Sequence, residues 1–85
     1  MQVQERVKRF IVENFYVADP EELTADTSLL TGGYVDSTGM LEVVQFLEEE
    51  YRLEVADQEM VPANLETIAR IAAFVARKAG APPGA

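Results

Sequence analysis

The sequence predicts an all-α fold: a small four-helix bundle of three longer helices and one short one, with a long ordered first loop. Three observations lead there. Apolar residues recur at helical spacing in three separate stretches, no useful length alternates with period two, and 85 residues suffice for one core but not two.

The first stretch, "MQVQERVKRFIVENFY", sets Val3, Val7, Phe10, Ile11 and Asn14 on one stripe with Arg6, Arg9 and Glu13 beside it. This helix is expected to end near Tyr16 or Val17, because Pro20 in "ADPEE" steers the residue before it away from helical dihedrals. Residues 18–36 have no sustained period and read as a connection with a turn of helix around "PEEL". Leu29, Leu30 and Val35 are expected to anchor it, and an ordered loop of this length in a small domain points to a use.

The second helix starts at Ser37, with Asp36 as its N-cap. Met40, Val43, Val44, Leu47 and Tyr51 form its core stripe, while Leu41, Gln45, Glu48, Glu49 and Arg52 share the flank of Ser37. Phe46 and Leu53 sit opposite and need cover from the side. Gly39 in the first turn costs about 1 kcal/mol of helix propensity against alanine, which suggests a close approach or tolerance near a helix end. In "ADQEMVPANLE", Asp57 is expected to cap a short helix that Pro62 stops. Asn64 is expected to cap the last helix, whose stripe is Leu65, Ile68, Ile71, Ala72 and Val75; Arg77 and Lys78 suit its C-terminal dipole and Gly80 its C′ position. The domain is expected to span residues 1–79, with 80–85 a flexible tail.

Composition narrows the chemistry. The chain has no cysteine and no histidine, so thiolate zinc sites and imidazole bases are excluded and any metal would rest on carboxylates alone. No apolar run approaches the roughly 18 residues of a membrane span, and the expectation is a soluble cytoplasmic protein. From Asp19 to Glu66 there are thirteen carboxylates and one base, Arg52, a net of −12. That belt repels nucleic acid and anionic membrane; its partner is expected to be a basic protein surface, although acidic surfaces also serve solubility alone.

Ser37 in "GGYVDSTGM" admits three readings. It is part of a helix cap, since serine and aspartate oxygens accept orphan N–H groups. It is a nucleophile on a G-x-S-x-G elbow, but Val35 replaces the first glycine and no histidine exists. Or it carries a phosphate, which a helix N-terminus favours.

The stretch "DTSLLTGGYVDSTGMLEVVQFLEEEYRLEV", followed by "DQEM" and a final helix, resembles the carrier protein family, the acyl carrier proteins and the aminoacyl and peptidyl carriers related to them. The likeness runs from about Val3 to Lys78, and its most specific part is the Asp-Ser pair after the glycine turn with "LEVV" and "LEEEY" beyond. The resemblance implies a non-enzyme that carries an acyl or aminoacyl group as a thioester on 4′-phosphopantetheine joined to Ser37. The arm would come from coenzyme A through a phosphopantetheinyl transferase, with Asp36 supporting a step that uses Mg²⁺ only during transfer. It further implies a monomer served by an acyl- or aminoacyl-loading ligase and by downstream synthase or transferase enzymes of fatty-acid, polyketide or nonribosomal-peptide-like biosynthesis. Their docking surface would use Thr38, Leu41, Glu42, Gln45, Glu48 and Glu49. The chain departs from the family where a leucine usually follows the serine: here stand Thr38 and Gly39, more like free-standing carriers loaded by a dedicated ligase. The competing reading is an unmodified acidic helical adaptor for a basic protein.

Overall fold

The computed structural model describes residues 2–78, and within them every regular element is helical. The longer helices are α1 (Gln2–Asn14), α2 (Ser37–Tyr51) and α4 (Ile68–Lys78); α3 (Pro62–Leu65) is short, and single 3₁₀ turns occupy Pro20–Glu22 and Asp57–Glu59. α1 packs on both α2 and α4, and α3 packs on α4. Gly80 and the tail lie outside the described residues.

The core follows the expected stripes. Val7 and Ile11 of α1, Val43 and Leu47 of α2, and Ile68, Ile71 and Val75 of α4 are all buried; Phe74 of α4, outside the predicted stripe, is buried with them, and no buried residue among those described is polar or charged. Phe46 is covered from the side by Phe10, the rings stacking with centroids 4.4 Å apart, and Leu53 is buried. Asn14 departs from its predicted stripe. It is exposed and turns its Nδ2 back onto the Phe10 carbonyl at 2.8 Å, closing α1 two residues before the expected Tyr16. The Phe15 N–H makes the last helical bond, to Ile11 O at 2.9 Å.

The first loop is ordered by burial and by backbone bonds to the far side of the bundle. Asp19 caps the turn at Pro20 by accepting the Glu21 N–H at 3.1 Å. Leu23, Leu29 and Val35 are its buried anchors, each contributing about 1.5–3 kcal/mol. Leu23 replaces the expected Leu30, which is 40% exposed because its neighbour takes the inward position. The Leu29 N–H bonds Glu66 O at 2.8 Å, Ala25 O accepts the Ala69 N–H at 2.9 Å, and Ser28 Oγ donates to Glu66 Oε2 at 2.8 Å.

Three expectations between α2 and α4 fail for local reasons. Asp57 is the first residue of its turn and Ala56 is the cap; the Glu59 carboxylate reaches back to the Ala56 N–H at 3.0 Å, which a side chain at the cap cannot do for itself. Pro62 starts α3 instead of stopping a helix, since its missing N–H costs nothing in a first turn. Leu65 therefore belongs to α3, and the cap of α4 is Thr67, whose Oγ1 accepts the Arg70 N–H at 3.1 Å, and not Asn64. Asn64 instead donates to Glu59 O at 2.8 Å and accepts from Arg77 at 2.8 Å. The α2 end is closed by Arg52 in the left-handed region, φ 54°, its N–H on Glu48 O.

Candidate functional site

Gly33 at φ +80° turns the chain so that the Tyr34 and Val35 N–H groups both fall on Leu29 O, at 3.0 and 3.1 Å. This delivers Asp36 in an extended conformation to the start of α2. Its Oδ1 accepts the Gly39 N–H at 2.6 Å and its carbonyl the Met40 N–H at 2.8 Å, the N-cap geometry the sequence predicts. Ser37 is the first helical residue. It is exposed, and its hydroxyl has no hydrogen-bond partner among the described residues, so the capping is done by Asp36 alone. The N–H groups of Ser37 and Thr38 are likewise left for an outside acceptor, at the positive end of a helix with no acidic residue in its first turn.

Ser37 stands on the rim of an apolar cleft of about 200 Å³ between the start of α2 and the approach to α3. Leu30, Leu41 and Val61 form its outer walls, Met40 and Leu65 its floor, and no charged residue lines it. Four large apolar side chains among those described are exposed, and three of them are these walls. Grouped exposure of this kind marks a binding surface more than scattered exposure does. A larger hollow of about 400 Å³ lies between α1 and α2 at Phe10, Phe46 and Glu50, and Ser37 takes no part in it.

Gly39 is explained by packing. A Cβ there would meet the Phe15 ring at 2.6 Å and the capping oxygen of Asp36 at 3.1 Å, so α1 and α2 approach too closely for a side chain.

Comparison with known proteins bears on the whole chain. An acyl carrier protein of Bdellovibrio bacteriovorus is 32% identical over 78 residues, which cover 92% of this chain and 96% of that protein. The chain belongs to the carrier protein family. No family model matches it. A carrier is not an enzyme; it has no chemistry of its own to perform on a cargo. No helix among the described residues is long and apolar enough to cross a membrane, and no three acidic groups there come together as a metal site.

The predicted docking residues of the carrier divide by environment. Thr38, Leu41, Glu42, Gln45 and Glu49 are exposed, with Gln45 and Glu49 one turn apart at 3.4 Å. Glu48 turns partly inward, its Oε2 accepting the Val55 N–H at 2.9 Å, so it also holds the chain leaving α2. On the opposite side of the cleft, Glu59 pairs with Lys78 at 3.0 Å and tethers the end of α4 to the turn before α3. The Ala56 N–H, then Lys78, hold the Glu59 carboxyl below its ordinary value. Leu30, Met60, Val61 and Pro62 were not among the predicted site residues. Their sequence signal is an apolar "MVP" placed between acidic residues with no helical stripe to join.

Proposed function

We propose that Ser37 is the attachment point of 4′-phosphopantetheine and that the chain presents an acyl or aminoacyl thioester to partner enzymes. The observation that carries this reading is an unengaged serine hydroxyl at a helix N-terminus whose capping is already supplied by its neighbour. The residues around it fit the group. Two free N–H groups and the helix dipole suit a phosphodiester, and the uncharged cleft beside Ser37 suits an apolar stretch of arm or cargo. When bound, the arm supplies the thiol that this cysteine-free chain lacks.

The chain's own residues have limited tasks. Ser37 offers its oxygen to a phosphopantetheinyl transferase, and Asp36, whose second oxygen makes no bond among the described residues, supports that step beside Mg²⁺ held in the transfer complex. Leu41, Glu42, Gln45 and Glu49 present a mixed apolar and acidic face to the transferase, a loading ligase and downstream synthase or transferase enzymes. Such pairing favours fast association with modest affinity, which a shuttling carrier needs.

The test is intact mass before and after incubation with coenzyme A, Mg²⁺ and a broad-specificity transferase. The expected result is one phosphopantetheinyl group on the wild-type chain and on Ser28→Ala, and none on Ser37→Ala. No gain on verified unmodified wild type with several transferases would refute the carrier reading and favour an unmodified adaptor for a basic protein.

A further inference from the structure

Glu66, the residue that closes α3, has every polar atom engaged, and its bonds run to both walls of the cleft beside Ser37. On the loop side, its carbonyl accepts the Leu29 N–H and its Oε2 the Ser28 hydroxyl, each at 2.8 Å. Ser28 in turn fixes the turn that carries Leu30, its Oγ accepting the Thr31 N–H at 3.2 Å and its carbonyl the Gly32 N–H at 2.9 Å. On the α3 side, the Glu66 N–H bonds Pro62 O at 3.0 Å, and its Oε1 accepts from Arg70 Nη1 at 3.3 Å. Arg70 also donates to Pro62 O at 3.4 Å, so the guanidinium holds the short helix from outside. Leu65, on the floor of the cleft, is the residue immediately before Glu66.

The remaining wall belongs to α2, through Met40 and Leu41, and no hydrogen bond among the described residues joins α2 to α3. α3 has four residues and one buried side chain, Leu65, and a helix so short does not support itself. Its place is set by packing on α4 and by the bonds of Glu66. A carboxylate suits this task. Its two oxygens take a hydroxyl and a guanidinium at once, bonds to an ionised group are stronger than neutral ones, and Glu66 is half-buried, so water competes less for them. We propose that Glu66 is the positioning residue of the cleft: by bonding both walls it fixes the spacing of Leu30 from Val61, and so limits the length of apolar group that the cleft admits. This rests on the reading that an arm or cargo carried by Ser37 enters the cleft. With the walls tied, methylenes beyond the limit stay in water and add nothing to binding.

The experiment offers the butanoyl, hexanoyl and octanoyl thioesters of N-acetylcysteamine, which are neutral, to the ¹⁵N-labelled unmodified chain, with the amide shifts of Leu30, Leu41 and Val61 as the readout. For the wild type, affinity is expected to level off with length, octanoyl binding no more tightly than hexanoyl. Glu66→Ala frees the walls and is expected to bind octanoyl at least about fourfold more tightly than hexanoyl, the factor that one further buried methylene contributes. Glu66→Gln and Arg70→Met each keep the Ser28 tie and lose the guanidinium one, so both are expected to show a smaller preference for octanoyl. Ile11→Val lowers the melting temperature from within the core without touching either wall, and its length dependence is expected to match the wild type. An unchanged length dependence in both Glu66 variants, the same change in Ile11→Val, or no saturable shift in any chain would each overturn the proposal. If Glu66→Ala does not fold, Glu66→Gln alone decides. Ser37→Ala is expected to titrate like wild type, so this outcome is read separately from the modification of Ser37.

Discussion

Gly39→Ala sets two opposing effects against each other at the residue beside the attachment motif. Alanine raises helix propensity by up to about 1 kcal/mol. The added methyl would stand 2.6 Å from the Phe15 ring and 3.1 Å from the capping oxygen of Asp36, and overpacking of this kind costs about 1–3 kcal/mol. The ring cannot simply swing aside, because it is already edge-on to Phe10. The net expectation is a destabilisation of about 1 kcal/mol, a fall of about 4–8 °C in melting temperature for a domain this small. Thermal and urea unfolding followed by far-ultraviolet circular dichroism measure it. Phe15→Leu removes the ring edge that the methyl would strike, so in that background Gly39→Ala is expected to be neutral or stabilising, with a coupling of about 1 kcal/mol. If Gly39→Ala stabilises the wild-type chain and the cycle shows no coupling, close packing is not the reason for the glycine.

Asp36→Ala removes the side-chain cap and is expected to cost about 1 kcal/mol in chemical denaturation, whereas Asp36→Asn retains most of it. Glu48→Ala leaves the half-buried Val55 N–H without its acceptor and should cost about 1 kcal/mol, while exposed Glu49→Ala stays within about 0.5 kcal/mol; equal costs would mean that Glu48 has no structural task. The Glu59 carboxyl titrates below its ordinary 4.5 in the folded chain, held there by the Ala56 N–H and Lys78. Its stabilising contribution is therefore complete above that ordinary value and is lost as pH falls through the lowered folded one. Unfolding curves from pH 6 to pH 3 should converge between wild type and Glu59→Gln at the acid end, and a constant gap would contradict the assignment.

The helical class, the stripes of α1, α2 and α4, the Asp36 cap and the exposed Ser37 were all legible in the sequence, because each depends on residues within a turn or two of one another. Spacing alone carries such information. Of the elements misread, some were set by local bonds, as at Asp57 and Pro62, and others by contacts across the chain. Asn64 looks like a cap until Glu59 and Arg77 claim its side chain, and Thr67 takes the task. Leu30 looks like an anchor until Leu23 and Leu29 fill the space beneath the loop. The cleft beside Ser37 likewise joins residues 30, 37, 40, 41 and 60–65, which no local pattern connects. Sequence by itself determined where the serine stands and what starts its helix, through short-range hydrogen bonding and periodicity. Only the tertiary structure decided what surrounds it: an apolar cleft beside it and, two residues on, a glycine required because Phe15 arrives from the end of another helix.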